Sequence, residues 1–195
     1  LHPNTLGFST DPRRNPLYHL SQFCSGDYVA VAITPDRTSA RSLARDITAA
    51  SGNFVFRWTW SRNLPEYVRP FWDLFYFIGM GLYLSLRRGR YDVVMAYGPY
   101  RTGFAGWIVS RLTGARFILE IPGNPRVVHE FSGGSLGAIK RRLAPAVVSF
   151  LVRRADHLRL RYPEQLVGMR LGEGASTSVF PNFIPVSLVP RGIAS

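Results

Sequence analysis

RYDVVMAYGPYRTGFAGWIVSRLTGARFILEIPGN, residues 90–124, reads as one β–α–β unit. Tyr91 to Tyr97 is a short apolar run, suited to a strand buried on both faces. Gly98 and Pro99 stop it. From Arg101 to Leu112, apolar residues recur at helical spacing: Phe104, Ile108 and Leu112, with Trp107 beside them. Thr113-Gly114 ends that helix, and Gly114 suits a left-handed cap. Ala115 to Ile121 is a second apolar strand, stopped by Pro122-Gly123-Asn124-Pro125. Two such strands joined by a helix are most simply parallel neighbours with a right-handed crossover. Ligands of parallel sheets sit beyond the carboxyl ends of the strands. The segments to watch are therefore 97–102 and 120–126.

Outward from this unit, strands keep alternating with helices. Toward the amino terminus, Tyr28–Ile33 is a clear strand and Asn53–Trp58 another; Thr5–Ser9 is the weakest candidate. Helices are expected over 16–23 and 38–50. Toward the carboxyl terminus, a helix over 136–154 carries Leu136, Ile139, Leu143, Val147, Phe150 and Leu151 as one stripe, and Pro145 should kink it or begin a new helix. Ala155–Leu160 is a short strand, 163–171 a small helix and Ser176–Phe180 a last strand. The fold class expected is α/β, a doubly wound, mostly parallel sheet of about six or seven strands.

Glu66 to Arg88 reads as one long helix with an apolar stretch from Phe71 to Leu84. That stretch is shorter than the roughly 20 apolar residues a membrane span needs, and it contains Asp73. Two readings stay open: a helix packed on the sheet, or an interfacial helix with aromatic residues and a basic end.

Composition narrows the classes. The chain has 195 residues, enough for one domain with a sizeable core, and 46% hydrophobic residues make it globular rather than disordered. A single cysteine, Cys24, excludes an internal disulfide framework and a multi-cysteine metal site; no metal set is expected. The net charge of +12 admits nucleic acid, an anionic membrane surface or an acidic small molecule as partner. No helix-turn-helix, zinc-finger or RNA-binding aromatic signature supports nucleic acid. A dinucleotide fold would need Gly-x-Gly-x-x-Gly after a strand, and Gly79-x-Gly81 lies inside a helical pattern instead. Gly133-Gly134 lacks the spacing and Lys of a nucleotide P-loop. Residues 1–30 hold no basic stretch leading into an apolar one of the signal-peptide kind, and the first residue, Leu, suits a trimmed or processed chain.

Three local phrases, in order, carry a resemblance. Tyr91-Asp92-Val93-Val94, Ala155-Asp156-His157-Leu158 and Val179-Phe180-Pro181-Asn182-Phe183-Ile184-Pro185 resemble the strand phrases of the N-terminal Rossmann-like domain of GT-B glycosyltransferases, closest to glycosyltransferase family 4. The resemblance spans nearly the whole chain. It implies residues 1–185 as that domain and 186–195 as the start of an inter-domain linker, with the C-terminal donor-binding domain absent. It further implies an enzyme of hexosyltransferase type, moving a sugar from a UDP- or GDP-sugar to a glycan or lipid-linked acceptor, as in polysaccharide biosynthesis. No cofactor is expected on this chain alone, and the isolated chain is expected to be inactive. The location implied is cytoplasmic, peripheral at the inner face of the cell membrane. The alternative is a basic, non-enzymatic binding domain.

The sequence departs from the family pattern in two places. The loop after the first strand lacks the usual Gly-Gly pair, so Arg13, Arg14 and Asn15 are the candidates there for donor phosphate. Pro122-Gly123 stands where many members carry a His, and His129 comes later. At the strand ends, Glu120 is the candidate catalytic residue, a carboxylate able to bind an acceptor hydroxyl or act as base; pairing with a nearby Arg is the alternative. Tyr97, Tyr100, Arg101, Thr102, Asn124, Arg126 and His129 are the candidate acceptor contacts. The opening of the 101–112 helix favours an anionic group, with ordinary capping as the alternative. Candidate membrane contacts are Trp72, Phe75, Arg87, Arg88, Arg90, Lys140, Arg141 and Arg142.

Overall fold

In the computed structural model, residues 27–33, 54–59, 64–65, 67–123 and 134–179 are described. They form β1 (Tyr28–Ile33), β2 (Phe54–Thr59), α1 (Arg69–Arg88), β3 (Val93–Tyr97), α2 (Arg101–Thr113), β4 (Arg116–Ile121), α3 (Gly134–Arg154), β5 (His157–Leu160), a 3-10 turn (Pro163–Leu166) and β6 (Ser176–Val179). The expected strand at 5–9 and helices at 16–23 and 38–50 lie outside the described residues.

Every described strand pair is parallel. β1 pairs with β2, and β3-β4-β5-β6 form a four-stranded sheet in chain order. The domain is thus mixed α/β with parallel strands of Rossmann-like kind. The expected strand–helix–strand order appears as β3, α2 and β4, and Gly114, with a φ of 74°, is the left-handed cap of α2.

Within the four-stranded sheet, burial alternates. Val94, Ala96, Phe117, Leu119, Ile121, Leu158 and Leu160 are buried, while the residues between them are half-buried or exposed. This corrects the expectation of strands buried on both faces. The buried face meets Val148, Leu151 and Val152 of α3, with Phe104 and Trp107 of α2 beside them. Trp107 and Phe150 stack edge to face, 4.9 Å between centroids. Each fully buried Leu, Ile or Phe here contributes about 1.5–3 kcal/mol.

Three helix details differ from expectation. Leu112 and Leu143 are exposed, not inward. α2 buries small residues instead: Gly103, Ala105 and Gly106 among them. A Cβ on Gly106 would lie 2.9 Å from the Ala96 Cβ, and one on Gly103 would lie 2.8 Å from the Gly98 carbonyl oxygen. The small face lets the helix press against the sheet, and the large residues fill the seam toward α3. Next, of the two outcomes expected at Pro145, no new helix begins there: one helix runs through it, with Pro145 exposed. Finally, the small helix at 163–171 is only the 3-10 turn, halted before Gly168 at φ 72°.

α1 starts at Arg69 rather than Glu66, with Pro70 in its first turn, where a missing N–H is harmless. Its inner face is Asp73, Phe77, Gly81, Leu84 and Ser85. That face packs on α2 and β1 through Val31 and Ala105. The Tyr91 hydroxyl donates to the Gly81 carbonyl at 2.9 Å, tying the approach to β3 onto α1.

Asp156 explains one of the phrases. Its carboxylate accepts the Phe117 N–H at 2.7 Å, and its own N–H donates to the Phe117 carbonyl at 2.9 Å. A short carboxylate just before β5 thus sets the register against β4.

Candidate functional site

The half-buried face of the sheet becomes polar toward the carboxyl ends. Tyr97 on β3 is the register partner of Glu120 on β4, and Glu120 that of Arg159 on β5. Side chains alternate along a strand, so these three stand on the face away from the Leu119–Leu151 core. The row forms because each residue occupies the same step of its strand's alternation.

Glu120 and Arg159 form an ion pair, Oε2 to Nη1 3.1 Å, with side chains only 12% and 19% exposed. Burial raises the carboxyl's pKa above its ordinary value, and the guanidinium groups of Arg159 and Arg161 pull it back part of the way. Oε1 of Glu120 has no protein partner among the described residues. Such a carboxylate holds its proton more readily than a solvated one and can accept one from a hydroxyl.

Arg161, just past β5, donates from Nη2 to the Tyr97 hydroxyl at 3.1 Å. Its guanidinium therefore bridges from the end of β5 toward β3, beside Glu120. Gln165, buried in the 3-10 turn, fixes the same rim. Its Nε2 donates to the carbonyls of Ile121 at 2.9 Å and Gly123 at 2.7 Å, and its Oε1 accepts from the N–H groups of Arg161 at 2.7 Å and Tyr162 at 3.2 Å. The end of β4 and the turn after β5 are thus held by one amide.

At the opening of α2, Thr102 is buried and its hydroxyl donates to the Tyr97 and Gly98 carbonyls, at 2.8 and 3.2 Å. Arg101 is ion-paired with Asp73 of α1, which is fully buried. Tyr100 precedes the helix, half-buried; burial pushes its phenol up to about 12, so it stays protonated at neutral pH.

The structure therefore brings Glu120 and Tyr97 together at one rim, with Tyr100, Arg101 and Thr102 on the turn that follows β3. Arg13, Arg14, Asn15, Asn124, Arg126 and His129 lie outside the described residues, as do the side chains of Lys140 and Arg141. Trp72, Phe75, Arg87, Arg88, Arg90 and Arg142 are exposed. Sequence reading missed Arg159, Arg161, Gln165 and the Asp73 pairing. Arg159 alone left a signal, being polar at the step of β5 that matches Glu120.

Two other polar features stand apart. His157, two residues before Arg159, has both ring nitrogens against serines, Ser176 Oγ at 2.7 Å and Ser178 Oγ at 2.8 Å. A cavity of about 500 Å3 opens at the opposite rim, by Arg90, Asp92, Thr113 and Arg116. Among the described residues no group of His, Cys, Asp and Glu is placed to hold a metal ion.

The fold is a parallel α/β sheet of Rossmann-like kind, with a half-buried carboxylate and two arginines at its carboxyl rim. Residues 22–160, well over half of the chain, match the model of the glycosyl transferase 4-like domain, and the chain belongs to that family. The family is one of glycosyl transfer in general. Among solved structures, the chain is similar to a 3-ketoacyl-ACP reductase from Sinorhizobium meliloti 1021, at 13% identity and a TM-score of 0.40. The match covers 68% of this chain and 60% of that one, a likeness that carries nothing further. No curated protein matches the chain.

Proposed function

We propose that this chain is the acceptor-binding half of a glycosyltransferase that moves a sugar from a UDP- or GDP-sugar to a glycan or lipid-linked acceptor. The supporting observation is the row Tyr97–Glu120–Arg159 at the strand ends, with one Glu120 oxygen in an ion pair and the other without a partner among the described residues. In this reading Arg159 orients the carboxylate. Glu120 Oε1 takes the hydrogen bond, and then the proton, of the acceptor hydroxyl as that oxygen bonds to the sugar's anomeric carbon, whose bond to the diphosphate oxygen breaks and releases UDP or GDP. Tyr97, Tyr100 and Arg101 line the approach, and a second domain supplies the donor.

Glu120→Gln tests it in an enzyme that carries this chain. Glutamine keeps the shape and removes the base. Turnover is expected to fall about 100-fold or more, with folding retained. Unchanged turnover in a folded variant removes Glu120 from the mechanism.

A peripheral membrane location is part of the same proposal. It is supported by the outer face of α1, where Phe71, Trp72, Phe75 and Tyr83 are exposed above the exposed Arg87, Arg88 and Arg90. No helix among the described residues is long and apolar enough to cross a membrane.

A further inference from the structure

Among the described residues, charge counting at the rim leaves one arginine over. Glu120 is neutralised by Arg159. Arg161 approaches the same carboxylate closely enough to lower its pKa, yet forms no ion pair with a carboxylate among the described residues. Its one hydrogen bond there goes to the Tyr97 hydroxyl. A guanidinium carries five N–H donors, and Arg161 is only half-exposed. Among the described residues most of these donors have no partner, which leaves them free to meet an anion. The head is not loose: Tyr97 fixes its tip, and Gln165 holds its backbone N–H.

We propose that Arg161, braced by Tyr97, binds a phosphate-type anion of the substrate beside Glu120. The proposal deepens the glycosyl-transfer reading and rests on it for the role of Glu120. A guanidinium suits phosphate because two parallel N–H groups match two phosphate oxygens. The phosphate has two possible sources, the acceptor or the nucleotide-sugar diphosphate. In either case the anion sits next to the carboxylate and orders the reacting hydroxyl against it.

The test reads the side chain itself. The Arg161 Nε–Hε resonance, assigned by its loss in Arg161→Lys, is followed by NMR as the chain is titrated with orthophosphate, pyrophosphate, UDP or sodium chloride at matched ionic strength. Saturable shifts with the phosphates and none with chloride are expected. Arg161→Gln should weaken pyrophosphate binding about tenfold or more, the loss of a charge-assisted pair. Arg161→Lys, which keeps charge and bulk, should lose less; Arg153→Gln, at the exposed end of α3, should lose nothing. UDP binding tenfold tighter than pyrophosphate assigns the anion to the donor; UDP binding no tighter assigns it to the acceptor. Chloride reproducing the phosphate shift overturns the proposal, as does Arg161→Gln binding pyrophosphate like the parent. Should Arg161→Gln not fold, Arg161→Lys decides: affinity equal to the parent overturns the proposal. Because no step reads sugar transfer, this result stands apart from the Glu120→Gln turnover test.

Discussion

At the residue scale, Glu120 is a carboxyl pulled two ways: burial favours its neutral form, and Arg159 and Arg161 favour the charged one. Burial wins, so the folded state holds this proton more tightly than the unfolded chain does. The group's stabilising contribution is complete below the ordinary carboxylate range, near pH 4, and is lost as pH rises through the raised folded value. Urea unfolding of the chain and of Glu120→Gln from pH 4 to 8 measures this. The parent should lose stability relative to the variant as pH rises. A difference that grows in the parent's favour with pH would mean the Arg159 pairing outweighs burial. Arg101 is a poorer probe, because removing it would strand the fully buried Asp73 without its partner. The place of Glu120 near the end of β4 was legible in the sequence because it is a charged residue within the apolar run that Pro122-Gly123 stops. Arg161 and Gln165 were not, since their roles rest on partners 64 and 44 residues away.

At the element scale, α1 is two-sided. Its inner face holds Asp73, Phe77, Gly81 and Leu84; its outer face shows Phe71, Phe75 and Leu86, which is 89% exposed. The same helix that ties down Arg101 through Asp73 thus presents an aromatic stripe and a basic end. Co-sedimentation of the chain with vesicles tests whether that stripe meets lipid. Binding should rise with the anionic lipid fraction. Replacing Arg87 and Arg88 by Gln should weaken it roughly fivefold per charge, and Phe71→Ser with Phe75→Ser should also weaken it. Binding indifferent to anionic lipid would contradict the membrane reading. The positions of α1, α2 and α3 were legible from periodicity, but which face turns inward was not always so. In α2 the largest apolar residues suggested a face including Leu112, whereas close approach to the sheet selects the glycine and alanine side. Among the described side chains of α3 the buried set is Ala144, Val148, Leu151 and Val152, which leaves Leu143 outside. Residue size marks a core only where the spacing between elements leaves room for it.

At the scale of the whole molecule, parallel pairing was legible because short apolar strands alternate with helices, and successive parallel strands need long crossovers. Two of the phrases behind the family resemblance now bracket physical joints. Val93 and Val94 open β3, and Asp156 locks β5 to β4. The third phrase, from Val179 to Pro185, runs almost wholly outside the described residues. In the proposed reading, Glu120 at the carboxyl rim serves as the base in one lobe of a two-lobed enzyme. The most direct measurement is sugar transfer from UDP- and GDP-sugars by this chain alone and by a protein that joins it to a donor-binding domain. The expected result is transfer by the joined protein and none by the chain alone. Turnover by the 195 residues on their own would contradict the assignment as an acceptor-binding half.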